Sequence, residues 1–139
     1  MGATSLETIT LVKDAIHRPD EPRHFMQFKF PDTHYVAQYG DKTLASTRNA
    51  LVLSEVAYAI YDPVVYFPLE DVSQDLLQQI DKTTHCPLKG DTAYFDLEGA
   101  QGENEKEIAW SYAKPLPFAA KLQDYLAFDL RKVHIRVAD

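Results

Sequence analysis

The sequence predicts a mainly β fold: a compact antiparallel single domain with one or two short helices. Three observations carry the prediction. Short β-branched and aromatic runs recur along the chain with turn residues between them. The long crossover helices that a parallel α/β sheet needs are missing from the pattern. The 139 residues are 45% hydrophobic and 25% charged, which suffices for one core without disulfide or metal staples.

The elements follow in order. Leu6 to Val12 reads as a strand. The prolines of His17-Arg18-Pro19-Asp20-Glu21-Pro22 are expected to break regular structure twice. Met26, Phe28 and Phe30 alternate with Gln27 and Lys29, the period of a half-buried strand. Tyr35 to Tyr39 and Thr43 to Ser46 flank Gly40-Asp41-Lys42 and read as a hairpin. Leu51-Val52-Leu53 is a short apolar strand. Val56 to Tyr61 fits either a strand or a helical turn, and Asp62-Pro63 is a turn. Val64 to Phe67 is strand-like and ends at Pro68. Leu76, Leu77 and Ile80 have helical spacing within Asp71 to Ile80, with Ser73 as the N-cap candidate. Thr92 to Leu97 and Lys106 to Tyr112 read as paired strands around a tip at Gly99 to Asn104. Pro117 to Tyr125 is the best helix, with proline at its start. Leu126 to Phe128 and Val133 to Val137 are expected to close the chain as a hairpin.

Charge and cysteine usage narrow the function. The net charge is -7, from 14 basic and 21 acidic residues. A negative balance of this size argues against nucleic-acid binding and polybasic membrane docking. The one cysteine, Cys86, excludes an intrachain disulfide and a cysteine-rich zinc knot. The start of the chain lacks a signal-peptide pattern, and the apolar runs are too short to span a bilayer. These features imply a cytoplasmic protein. The five histidines are scattered without ligand spacing, so neither metal nor cofactor is expected.

Several residues carry candidate chemistry. Thr83 to Gly90 places His85, Cys86 and Lys89 close together, and a nearby cation activates a thiol. A buried structural cysteine is the commoner outcome. Trp110 and Tyr112 share a strand face and form a potential wall for a flat or cationic ligand. Core packing is the alternative. Arg48 is suited to hold a carboxylate or phosphate. Glu55 is suited to act as a base or to pair with Arg48 or Lys89. A plain structural ion pair is the alternative there. No nucleophile elbow or phosphate-cradling glycine loop is present.

The chain resembles the domain of unknown function 427 family, labelled nucleotidyltransferase-like in some classifications. The matching pieces are Ala45-Ser46, Arg48-Asn49-Ala50 and Glu55, then Tyr66-Phe67-Pro68 with Asp71-Val72. Thr84, Cys86-Pro87, Lys89-Gly90 and Tyr94 follow, then Ala109-Trp110-Ser111-Tyr112, Pro115 and Ala127-Phe128. The resemblance implies a family core over 40–137, with 1–39 as an N-terminal extension or added strands. It also implies a β-tent fold similar to Mss-four-like and methionine sulfoxide reductase domains. Many such tents hold zinc with four cysteines, a set this chain lacks, and the Gly-Ser and paired-Asp pattern of ordinary nucleotidyltransferases is absent too. No established activity comes with the family. The expected function is small-molecule binding, with or without catalysis, in a pocket of Arg48, Glu55, Tyr66, Lys89, Trp110 and Tyr112, with an anionic group on the ligand. Glu55 and Cys86 are the catalytic candidates. The alternatives are a non-enzymatic interaction or scaffold module, and a thiol-dependent enzyme using Cys86, alone or with His85.

Overall fold

Tyr66 and Phe67 are neighbours in one strand, and both are fully buried. Successive strand residues point to opposite faces, so this strand must be covered on both sides. A computed structural model describes residues 11–139 and shows how. An eight-stranded antiparallel sheet has the order β1 (Ile16–Arg18), β2 (Glu21–Lys29), β5 (Leu51–Val56), β6 (Val64–Pro68), β10 (Tyr125–Phe128), β9 (Asn104–Pro115), β8 (Gly90–Glu98), β7 (Leu77–Cys86). A three-stranded antiparallel sheet has the order β11 (His134–Ala138), β3 (His34–Tyr39), β4 (Lys42–Thr47).

The small sheet covers one face of the large one. Its Ala37, Leu44 and Ala45 meet Phe67, Ile108, Leu126 and Phe128. Phe67 and Phe128 pack edge to face, 5.6 Å between ring centres. The opposite face holds a second core, in which Met26, Leu51, Leu53, Tyr66, Tyr112 and Ala127 pack with Leu88 and Leu122 from the connections. This second face bears the candidate site.

The mainly β expectation agrees with the architecture, and so do most of the strands. Gly40 supplies the positive φ of 57° at the β3–β4 turn. The strand expected over Leu6 to Val12 falls outside the described residues except for Leu11 and Val12, which belong to no strand.

Five expectations need correction. Only Pro19 and Asp20 separate β1 from β2. Pro22 lies inside β2, near the sheet edge where its missing N–H is tolerated. Val56 ends β5, and the following residues bend through a lone bridge between Val56 and Ile60. Of the short helix or turn expected over Asp71 to Ile80, only turns form, and Leu77 onward is strand. Two 3-10 turns, Leu69–Asp71 and Gln74–Leu76, lead into β7, and Ser73 makes no side-chain cap. An irregular register between Gln79 and Thr83 breaks the alternation that would have marked the strand. Pro117–Leu122 is a kinked 3-10 segment, and Asp124 (φ 68°) turns the chain into β10.

The last two strands do not form a hairpin. β10 inserts between β6 and β9, while β11 leaves for the small sheet and pairs with β3. The cause lies in β10 itself. Leu126, Ala127 and Phe128 are all buried and alternate between the two cores, so the strand needs a neighbour on each edge. The turn at Asp129, closed by the Val133 N–H at 2.9 Å, redirects the chain.

Candidate functional site

Leu51, Leu53 and Glu55 occupy the same face of β5. The first two are buried core residues, and the third brings a carboxylate to the same apolar surface. Met26 lies opposite Glu55 in the register, so His24, two residues earlier on β2, also points to this side. The His24 Nε2 is 2.7 Å from the Glu55 Oε2. The Glu55 Oε1 accepts a hydrogen bond from the Lys89 ammonium. These three side chains are only 11–13% exposed.

Lys89 reaches this position from the β7–β8 connection. Leu88, fully buried, anchors that connection below. The Leu116 N–H donates to the Lys89 carbonyl at 2.9 Å. Gly90 (φ 118°) then passes so close to β9 that a Cβ there would sit 2.7 Å from the Lys114 carbonyl oxygen. The ammonium also lies 5.6 Å from the centre of the Tyr112 ring.

Two adjoining cavities share Lys89 and Val64. The first, about 790 Å³, is bounded by His24, Glu55, Pro87 and the β5–β6 loop with Tyr58 and Tyr61. The second, about 510 Å³, is walled by Tyr66, Tyr94, Trp110 and Tyr112. The Trp110 indole N–H donates to the Tyr66 hydroxyl at 3.3 Å. Four basic residues (Lys82, Lys89, Arg131, Lys132) line this second cavity against two acidic ones (Glu107, Asp129). The Lys82 ammonium stands 4.6 Å from the Tyr94 ring centre. Two of the aromatic faces are thus already engaged by the protein's own cations, which leaves little for a cationic ligand.

The electrostatics keep the central groups charged. Burial pushes the Glu55 carboxyl up, but the Lys89 charge and the bonds from Lys89 and His24 outweigh it and leave it below its ordinary value. Burial pulls the Lys89 ammonium down, and Tyr112 and Glu55 more than offset this, so it stays raised. Burial raises the Tyr112 and Tyr66 hydroxyls, so both are neutral near pH 7. Glu55 therefore contributes stability above the ordinary carboxyl value of 4.5 and loses it as pH falls through its lower folded value. Melting curves between about pH 7 and pH 3 should show the gap between wild type and Glu55→Gln closing as acid is added. A constant gap would mean that the charge of Glu55 is not what stabilises the fold.

Of the residues singled out in the sequence, Glu55, Tyr66, Lys89, Trp110 and Tyr112 converge on this pair of cavities. Arg48 does not. It is exposed between β4 and β5, at the end of β5 remote from Glu55, and it lines neither cavity. Ser46 on β4 bonds His34 at 2.7 Å. Cys86 is half-buried and packs on the second core. His85 turns outward and pairs with Asp91 at 2.8 Å, so alternation along β7 separates it from the thiol. Sequence reasoning missed His24 as a partner of Glu55. Extending the Met26–Phe28 alternation back by two positions would have found it, had Pro22 not suggested a break.

Residues 28–139 match the family model described as Domain of unknown function (DUF427), NTP_transf_9. The chain belongs to this family. No curated protein matches it. Within the DUF427 match lie Glu55, Tyr66, Lys89, Trp110 and Tyr112, whereas His24 precedes the matched range. No helix among the described residues is long and apolar enough to cross a membrane.

Proposed function

We propose that this DUF427 protein binds a small molecule that carries a flat ring and an anionic group. The observation that supports the reading best is the Lys89 ammonium, held in place by Glu55 at the junction of two cavities, one of them walled by Trp110 and three tyrosines. A concave, largely apolar site with a few convergent charges is the usual form of a ligand pocket. In a chain of net charge -7, the cations around the second cavity, each ion-paired within the fold (Lys82–Glu107, Lys89–Glu55, Arg131–Asp129, Lys132–Glu105), are the groups that would hydrogen-bond an anion there. A cytoplasmic setting belongs to the same proposal, since a lone free thiol suits a reducing compartment.

A thermal-shift panel of nucleotides, aromatic acids and small aliphatic acids tests the reading. At least one aromatic anion should raise the melting temperature, and Trp110→Ala should abolish the shift while the protein remains folded. A flat response across the panel would leave the groove without a ligand and favour the scaffold alternative.

A further inference from the structure

We propose that the groove is a proton-transfer site in which His24 is the base and Lys89 stabilises the charge that develops on an anionic carbonyl substrate. This rests on the binding reading above and extends it to chemistry. Glu55 is the pivot, with one carboxylate oxygen toward His24 and the other toward Lys89. An ionised carboxylate only accepts hydrogen bonds, so the His24 Nε2 must donate. In the neutral ring the lone pair then resides on Nδ1. Among the described residues His24 makes no other hydrogen bond, and no buried side-chain nitrogen or oxygen is left without a partner. Nδ1 is therefore open, and the space beside His24 is the first cavity. A carboxylate that fixes the tautomer and orientation of an imidazole, leaving the second nitrogen free, is the arrangement that makes histidine an effective base.

The cation determines the substrate class. A base alone would suit many acids, but here an ammonium is hydrogen-bonded to the same carboxylate, in a site largely shielded from water. This pair suits removal of a proton from a carbon beside a carbonyl. His24 Nδ1 takes the proton, the C–H pair forms the C=C bond, and the carbonyl π pair moves to oxygen. The enolate oxygen is then neutralised by Lys89. Return of the proton from His24 to carbon restores the ketone, so no oxidant or further reactant is required. The aromatic wall and the basic rim of the second cavity add a ring and a carboxylate to the description. The substrate class is an aromatic 2-oxo acid.

Phenylpyruvate in D2O is the test compound. Loss of its benzylic proton signal by NMR measures exchange, and the indole N–H signal of the single tryptophan, Trp110, measures binding. Wild type should accelerate exchange over buffer. His24→Gln, which keeps a donor near Glu55 but has no base, should reduce the acceleration at least ~100-fold when compared at phenylpyruvate concentrations that saturate the Trp110 signal of each protein. If His24→Gln fails to fold, Glu55→Gln provides the second comparison and should also slow exchange. Binding without acceleration, or acceleration that survives in His24→Gln, overturns the proton-transfer inference and leaves the binding reading intact. A Trp110 signal that phenylpyruvate leaves unmoved but another aromatic acid shifts overturns the substrate class. A signal that no aromatic acid moves overturns both.

Discussion

Gly90→Ala should be the most damaging alanine substitution among the described glycines. Gly90 has φ 118°, a region that side-chain-bearing residues rarely adopt. An added Cβ would also meet the Lys114 carbonyl oxygen at 2.7 Å and the Leu116 nitrogen at 2.9 Å. These are backbone atoms and cannot swing aside as a side chain would. The β7–β8 connection would have to lift from β9, breaking the bond between the Leu116 N–H and the Lys89 carbonyl and withdrawing Lys89 from Glu55. A loss of more than ~3 kcal/mol is expected, from backbone strain combined with the lost buried contacts. Urea unfolding checks this. Gly40→Ala provides the control, because its positive φ of 57° has nothing within 4 Å of the added carbon. Its cost should be only about 1 kcal/mol. Equal costs at the two sites would refute the close-approach argument.

The second large effect is expected at Lys89. Lys89→Met keeps an unbranched stem of similar length but leaves Glu55 without its ammonium partner. Removing one member of a buried pair costs about 3–5 kcal/mol, largely because the other charge is stranded. His24 still touches Glu55 and offsets part of this, so the lower end is expected, near ~3 kcal/mol. The double variant Lys89→Met with Glu55→Leu should recover most of the loss, since no charge is then left unpaired. Affinity for an anionic ligand should fall at least tenfold in both variants, because the cation is gone from each. Stability and binding would thus separate. A double variant no more stable than Lys89→Met alone would show that the pair is not the source of the cost.

Much of this was legible in the residues. The alternation of Met26 and Phe28 marked β2, and the run Val64 to Phe67 marked β6. The misreadings share a physical cause. Leu126 to Phe128 and Val133 to Val137 are close in sequence and look like a hairpin. Their separation into two sheets depends on which faces the other strands leave uncovered, a long-range property. Pro117 to Tyr125 carried a good helix start, but Asp124 and the demands of β10 cut it short. At the site, Glu55 was visible as a charge at the end of an apolar run, and Lys89 as the cation close to Cys86 and His85. Arg48 attracted equal attention because sequence proximity to Glu55 does not reveal that a strand separates them. His24 was hidden because Pro22, two residues before it inside β2, suggested a break.

The central claim is that Lys89 makes the aromatic groove an anion site. The single Trp110 indole N–H signal in a nitrogen–proton correlation spectrum tests it most directly, followed while an aromatic carboxylate and its neutral carboxamide are titrated in turn. The carboxylate should shift the signal at a concentration at least tenfold lower than the amide requires, and Lys89→Met should erase that difference. Equal affinities for acid and amide, or a preference that survives in Lys89→Met, would contradict it.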